Sequence, residues 1–246
     1  MHLFHKIGLV GLLAAGLASA AMAQTITVVT EEYPPYNFLD ANKKISGMAT
    51  EVVEEVLKRA RLDYKLDIYP WARAYQMAQD TPNVLIFSIG RNEKRETLFK
   101  WVDVIAPYDV YLYRLKSRPE VKATHLADIQ HYKIGAVRDD VRAQYLEKAG
   151  IPLDLVVEDS ANTKKLASQR IDMFPIDELA QVALYRREGL DPASVVKVFK
   201  LDALSAGLYM AFSKQTPDAV VAQCKTALAG IKKDGTFDRI SAKYLK

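Results

Sequence analysis

A single cysteine, Cys224, in 246 residues excludes any internal disulfide framework. Eleven glycines and ten prolines are too few for a collagen-like or low-complexity chain. Charge of one sign is barely in excess, with 34 basic against 30 acidic side chains and a net charge of +4. Nucleic-acid binders gather basic residues on one face or stripe, and this small, dispersed excess predicts no such partner. The sequence holds no Gly-x-x-x-x-Gly-Lys-[Ser/Thr], no Gly-x-Gly-x-x-Gly, no Gly-x-Ser-x-Gly and no His-Glu-x-x-His. Phosphate-loop, dinucleotide-fingerprint, nucleophile-elbow and zincin chemistry therefore lack their signatures. What remains is an ordinary globular composition, 50% hydrophobic, 26% charged and 9% aromatic. Such a chain can bury one large core or two lobes of about 100 residues each.

The first residues read as an export signal. Met1–Lys6 is basic, Ile7–Ala18 is unbroken apolar, and Ala21-Met22-Ala23 has the small–x–small pattern of a cleavage site. The apolar run is shorter than the ~20 residues a spanning helix needs. A signal peptide over 1–23, cleaved before Gln24, is expected, and losing Lys6 lowers the net charge from +4 to +3. No cysteine follows the apolar run, so no lipid anchor is expected, and the mature protein is read as exported and soluble. Two of the four histidines leave with the signal. His125 and His131 flank Leu126–Gln130 without a cysteine or third histidine nearby and read as surface residues, so no metal and no cofactor are expected.

The mature chain alternates strand and helix. Ile26–Thr30, Leu66–Tyr69 and Val84–Ser88 read as strands, interleaved with helices over Met48–Ala60 and Trp71–Gln79. Lys133–Val137, Leu155–Glu158 and Ile171–Phe174 repeat the strand pattern, with helices over Asp140–Ala149, Ala161–Gln169 (capped by Ser160) and Glu178–Glu188. Val195–Phe199 and Leu208–Phe212 are further strands, and helices Pro217–Lys232 and Thr236–Tyr244 close the chain around Asp234-Gly235. Alternation of this kind predicts α/β architecture with parallel sheets. Two lobes are the simplest account: 24–114 with 208–246, and 115–207. Lys116–Glu120 is the expected crossing and Leu201–Ala206 the expected return. Ligands of open α/β sheets bind at the carboxyl ends of strands, so facing lobes would form a cleft that closes by hinge motion.

Several motifs fall in one order. They are Tyr33-Pro34-Pro35-Tyr36-Asn37-Phe38, Gly47, Trp71, Asn92-Glu93-Lys94-Arg95, Ala106-Pro107-Tyr108, Asp172-Met173-Phe174-Pro175-Ile176-Asp177 and Lys233-Asp234-Gly235-Thr236-Phe237-Asp238-Arg239-Ile240 through Lys243-Tyr244. Together they resemble the family 3 solute-binding proteins that feed polar amino acids to bacterial ABC importers, over nearly the whole mature chain. The resemblance implies a two-lobed periplasmic binding protein fold (type II) with its ligand cleft between the lobes and a two-strand hinge. It also implies a periplasmic monomer, a small-molecule ligand and an ABC permease partner in the inner membrane.

Arg95 falls where the family's Thr-x-x-Arg pattern puts a carboxylate clamp, with Asn92 replacing the threonine. A guanidinium can grip a carboxylate through two parallel hydrogen bonds; the plainer alternative is a surface arginine paired with Glu93 or Glu96. Asp177 opens a helix and reads as an N-cap, as the family's counter-charge for an α-ammonium, or as both. Tyr33, Tyr36 and Trp71 follow strands, where aromatic faces either wall a cleft or fill a core. Ser88 would supply a hydroxyl and Gly90 close backbone approach. Arg138-Asp139-Asp140-Val141 replaces the family's Gly-Ser/Thr-Thr stretch, exchanging hydroxyls for two carboxylates that repel a ligand carboxylate unless they act as caps. With Arg73 and Arg91 beside Arg95 on one jaw and Asp139 and Asp140 on the other, the ligand would carry separated charges; otherwise these four are solvated surface charges.

The expected function is thus a non-enzymatic receptor for a small zwitterion, with Arg95 holding its carboxylate and Asp177 its ammonium. A dehydratase-like enzyme on the same fold is one alternative, although no paired base, nucleophile or metal site is evident. A sensor acting through a membrane partner is the other.

Overall fold

The computed structural model describes residues 25–245; the expected signal peptide lies outside the described residues. In chain order the first sheet region contains β1 (Ile26–Thr30), the small hairpin β2 (Phe38–Leu39) and β3 (Ile45–Ser46), and α1 (Met48–Ala60). It continues through β4 (Tyr64–Ile68), α2 (Trp71–Asp80), β5 (Val84–Gly90) and β6 (Phe99–Ala106). The second contains β7 (Val110–Leu115), β8 (Ile134–Val137), α3 (Val141–Lys148), β9 (Leu153–Val156), α4 (Asp159–Ala167), β10 (Phe174–Asp177), α5 (Glu178–Arg187) and β11 (Val195–Lys200). The chain then returns as β12 (Leu208–Ser213), α6 (Asp218–Lys233) and α7 (Thr236–Ser241).

These strands form two main sheets, giving the expected two-lobed α/β architecture. The first has the order β4-β1-β5-β12-β6, with β1 parallel to β4 and β5 and β12 antiparallel to its neighbours. The second has the order β10-β7-β11, antiparallel throughout, and a bridge between Ile134 and Met173 ties the parallel β8–β9 pair to its edge. Strand β5 is buried at every position, as a central strand covered on both faces must be. Helix α1 turns Val52, Val53, Val56 and Leu57 inward and packs against α6 and α7, so the C-terminal helices complete the first lobe.

Pairing of β7 with β10 and β11 takes the chain out of the first sheet at Pro107–Asp109, ahead of the expected crossing at Lys116–Glu120. The return runs through residues 201–207, beside it: Leu201 N donates to Val110 O at 2.8 Å and Val110 N to Ser205 Oγ at 3.1 Å. Two connecting segments bonded side by side make a two-strand hinge. Three local expectations are corrected. Strand β10 starts at Phe174 rather than Ile171, and α7 ends at Ser241. Helix α4 starts at Asp159, and Ser160 lies inside it with its hydroxyl on Glu158 Oε1 at 2.7 Å, not at a cap. The start is drawn forward because Asp159 is buried in an ion pair with Arg142.

Backbone contacts fix the loop after β1. Helix α1 has no side-chain cap; Met48 N donates to Pro35 O, and Ala49 N and Thr50 N donate to Tyr36 O. Gly47 makes this junction possible with φ +123°, and a Cβ there would lie 2.3 Å from Tyr36 O. Gly47→Ala should therefore cost about 1–3 kcal/mol in urea unfolding and displace the Tyr33–Tyr36 loop. A cost below about 0.5 kcal/mol would show that the junction relaxes freely.

Candidate functional site

The carboxyl ends of β1, β5, β8 and β10 meet where the lobes face each other. Contact between them is close: Asn92 Nδ2 donates to Gln144 Oε1 at 3.1 Å, Lys148 pairs with Glu93 at 3.3 Å, and Arg187 pairs with Glu32. A Cβ on Gly90 would lie 2.7 Å from Val141 Cγ1 of the opposite lobe. Because valine is stiff at χ1, Gly90→Val should wedge the lobes apart while each lobe stays folded. Small-angle scattering should then show a larger radius of gyration than wild type; an unchanged radius would contradict this role.

Arg95 is fully buried, at 0% exposure. A short 3₁₀ turn, Glu93–Arg95, presents it, and Asn92 Oδ1 caps the turn by accepting from Arg95 N at 2.9 Å. Asparagine at this position thus performs a cap that threonine could also supply. Arg95 Nη1 donates to Gly90 O and Nη2 to Asp139 O across the lobe boundary, both at 2.8 Å. Its guanidinium carbon lies 4.8 Å from the Tyr75 ring centre and 5.3 Å from that of Trp71. Among the described residues, Arg95 Nε and Trp71 Nε1 are buried donors without acceptors. Unmet buried donors are costly, so two of them in one neighbourhood mark a place suited to an acceptor.

Asp177, at the end of β10, performs the expected cap and also joins the two lobes. Its Oδ1 accepts from Leu179 N and Ala180 N, both at 3.1 Å, capping α5. The same oxygen accepts the Tyr36 hydroxyl at 2.7 Å, and Oδ2 accepts that of Tyr33. Both tyrosines belong to the first lobe and stack with ring centres 5.5 Å apart, so they face the cleft through their hydroxyls. Burial raises the Asp177 carboxyl above the usual carboxylate range, against the opposing pull of the two tyrosine bonds.

Ser88 occupies a bulge in β5, where the pairing with β12 slips between Tyr209 and Met210. Its φ of +58° is unusual for a non-glycine residue, and its hydroxyl donates to Asn37 Oδ1 at 2.5 Å. The bulge turns the hydroxyl toward the Tyr33–Asn37 loop. Trp71, exposed by 1%, opens α2 directly after Pro70 and lines a cavity of about 180 Å³ with Glu31, Tyr69 and, from the second lobe, Val157 and Glu158. A separate cavity of about 210 Å³ is bordered by Tyr36, Pro107 and Asp177.

Three expected residues stand apart from this cluster. Arg73 is exposed, with its guanidinium 4.5 Å above the Tyr69 ring centre. Arg91 is exposed and bound to Glu96 at 2.5 Å, over Trp101 and Tyr209. Asp139 is exposed with φ +60°; only its carbonyl reaches the interface, where it accepts from Arg95. Asp140 is buried and caps α3 through a bond from Arg142 N at 2.9 Å.

Two interface residues had no place in the sequence reading. Arg142 is 2% exposed and donates through Nε to Asp140 at 2.5 Å, through Nη2 to Asp159 at 2.8 Å, and through Nη1 to Asp159 at 3.2 Å and Pro175 O at 3.1 Å. Burial pushes the Asp159 carboxyl up to about 6 despite this guanidinium. Burial acts on Asp140 in the same sense, yet Arg142 outweighs it and holds that carboxyl below its usual value. Glu31 directly follows β1 and is 6% exposed. Its position at a strand's carboxyl end was a usable signal; the Arg142 triad had only the nearness of Asp140, because Asp159 is brought to it by the packing of α3 and α4 on β8 and β9.

The arrangement is a pair of lobes whose facing surfaces carry buried, oriented charges and no metal-ligand cluster among the described residues. No helix among those residues is long and apolar enough to cross a membrane. The family model described as bacterial extracellular solute-binding proteins, family 3, matches residues 26–246, and the chain belongs to this family. It is similar to the lysine/arginine/ornithine-binding periplasmic protein of Escherichia coli (strain K12), at 23% identity over 257 residues, covering 96% of this chain and 93% of that protein. Similar solved structures include an ancestral arginine-binding protein bound to arginine (TM-score 0.79, 22% identity, 90% of this chain and 98% of that one). Another is a histidine kinase sensor domain with similarity to periplasmic binding proteins (TM-score 0.80, 21% identity, 90% and 96%).

Proposed function

We propose that this solute-binding protein is a periplasmic receptor, exported by a cleaved signal peptide, that captures an amino acid between its lobes and delivers it to an ABC permease. It performs no catalysis in this reading. The observation that carries it is the opposed burial of Arg95 in the first lobe and Asp177 in the second, each anchored by its own backbone partners. Parting the lobes releases Arg95 from Asp139 O and Asp177 from the Tyr33 and Tyr36 hydroxyls. The guanidinium then offers a fork to a ligand carboxylate, with Trp71 beside it, and Asp177 offers two oxygens to an ammonium. Reclosure strengthens both attractions by excluding water.

A thermal-shift panel of the twenty amino acids, followed by calorimetry, tests the reading. At least one amino acid should bind, and Asp177→Ala should weaken it by about 30-fold or more, as expected for a lost buried charge pair. If no amino acid binds, or if Asp177→Ala binds as tightly as wild type, the proposal fails.

A further inference from the structure

The lobe interface gathers four carboxylates, Glu31, Asp140, Asp159 and Asp177, but only two guanidiniums, Arg95 and Arg142; none of the six is more than 6% exposed. Five of these groups are engaged. Arg142 holds Asp140 and Asp159, two hydroxyls and two amides hold Asp177, and two carbonyls hold Arg95. Glu31 is the exception: its backbone carbonyl accepts from Asn37 at 2.6 Å, while its carboxylate takes no hydrogen bond from the described residues. That carboxylate borders the 180 Å³ cavity between the lobes.

We infer that closing the lobes over a net-neutral ligand takes up one proton on Glu31, and that a ligand bearing an additional cation at this cavity replaces that proton. The charges facing Glu31 come from every side. The second lobe presents Asp140 and Arg142 on α3 and Asp159 on α4; the first lobe presents Arg95. Glu32 and Glu158 also border the cavity, and Glu32 is already paired with Arg187 of α5. Burial, then Asp140 and Asp159, push the Glu31 carboxyl well above the usual range, and the two guanidiniums only partly oppose them. When the lobes part, Glu31 meets water and the second-lobe acids move away, so its proton affinity returns toward that of an ordinary glutamate. Closure and protonation are therefore linked. Between the open-state and closed-state pKa values of Glu31, affinity for a net-neutral ligand should fall by up to about tenfold per pH unit, and above the closed-state value it should level off. This coupling to ligand rests on the receptor reading, whereas the protonation of Glu31 in the closed lobes does not.

Thermal unfolding of the wild-type chain and Glu31→Gln across about pH 5 to 8 tests the protonation directly. A folded-state pKa above the unfolded value of about 4.3 gives stability that is lost as pH rises between the two. Glu31→Gln should thus melt higher than wild type near pH 8, with the gap closing or reversing toward pH 5. Parallel curves overturn the inference. Should Glu31→Gln fail to fold, infrared spectra of wild type and Glu31→Ala at about pH 7 decide: a protonated-carboxyl band lost from the variant supports it, and a band present in both or absent from both overturns it. For ligands found in the amino acid panel, net-neutral ones should lose affinity as pH rises from about 5 to 8, by up to about tenfold per unit, and arginine or lysine under threefold over the same range, with the difference abolished in Glu31→Gln. Equal slopes with binding intact overturn only this inference; absence of binding by every amino acid overturns the receptor reading.

Discussion

Arg142→Ala should lower the free energy of unfolding at neutral pH by about 3–5 kcal/mol, the largest stability loss expected from a single substitution here. The reason is the state of its partners. Asp140 and Asp159 are 6% and 2% exposed, and Arg142 is the cation that hydrogen-bonds both carboxylates. Without it, two carboxylates remain buried within one lobe, and Pro175 O loses a donor. The deficit should shrink as pH falls toward about 5, because unpaired buried carboxylates take up protons and become neutral. Urea unfolding at about pH 7.5 and pH 5 measures both effects. A loss under about 1 kcal/mol at neutral pH would mean that water already reaches these acids.

Arg95→Ala should weaken amino acid binding by about 100-fold or more, and Arg95→Lys should recover little of it. Lysine supplies the charge but not the planar fork, and it cannot reach Gly90 O, Asp139 O and a ligand with the same rigid geometry. Stability will fall as well, since the guanidinium packs against the stacked rings of Trp71 and Tyr75. The two effects separate experimentally: calorimetry below the melting transition reads affinity, and urea unfolding without ligand reads stability. Wild-type affinity in either variant would remove Arg95 from the site.

Much of the fold follows from local pattern. The β-branched run Ile26–Thr30, the apolar spacing of Met48–Ala60, and the sequence Pro70-Trp71 opening a helix each form where periodicity and turn chemistry place them. Strands β6 and β7 escaped that reading. In β6 the charges of Lys100 and Asp103 interrupt the apolar run, and both are held from outside, by Asp218 and Lys232. Strand β7 is identified only by its partners β10 and β11, which lie about 60 or more residues further along the chain.

The site divides along similar lines. Arg95 and Trp71 lie in the segments that follow strands and Asp177 ends one, where the topology makes a cleft, and all three are buried at the lobe interface. Arg73 lies two residues beyond Trp71 on one helix, a rotation of about 200° that turns it to solvent. Arg91 was within reach of Glu96, and that local pair holds it outside. Asp139 and Asp140 are adjacent, and the positive φ of Asp139 sends their side chains to different surroundings. Sequence order shows which charges are near the strand ends; tertiary pairing decides which of them are free to meet a ligand.

Small molecules released by denaturing the protein after purification from its native cells test the account most directly, with mass spectrometry as the readout. The account predicts an enriched compound that carries both a carboxylate and an ammonium and that rebinds to wild type but not to Arg95→Ala or Asp177→Ala. A retained compound lacking either group, rebinding equally to all three proteins, would contradict it.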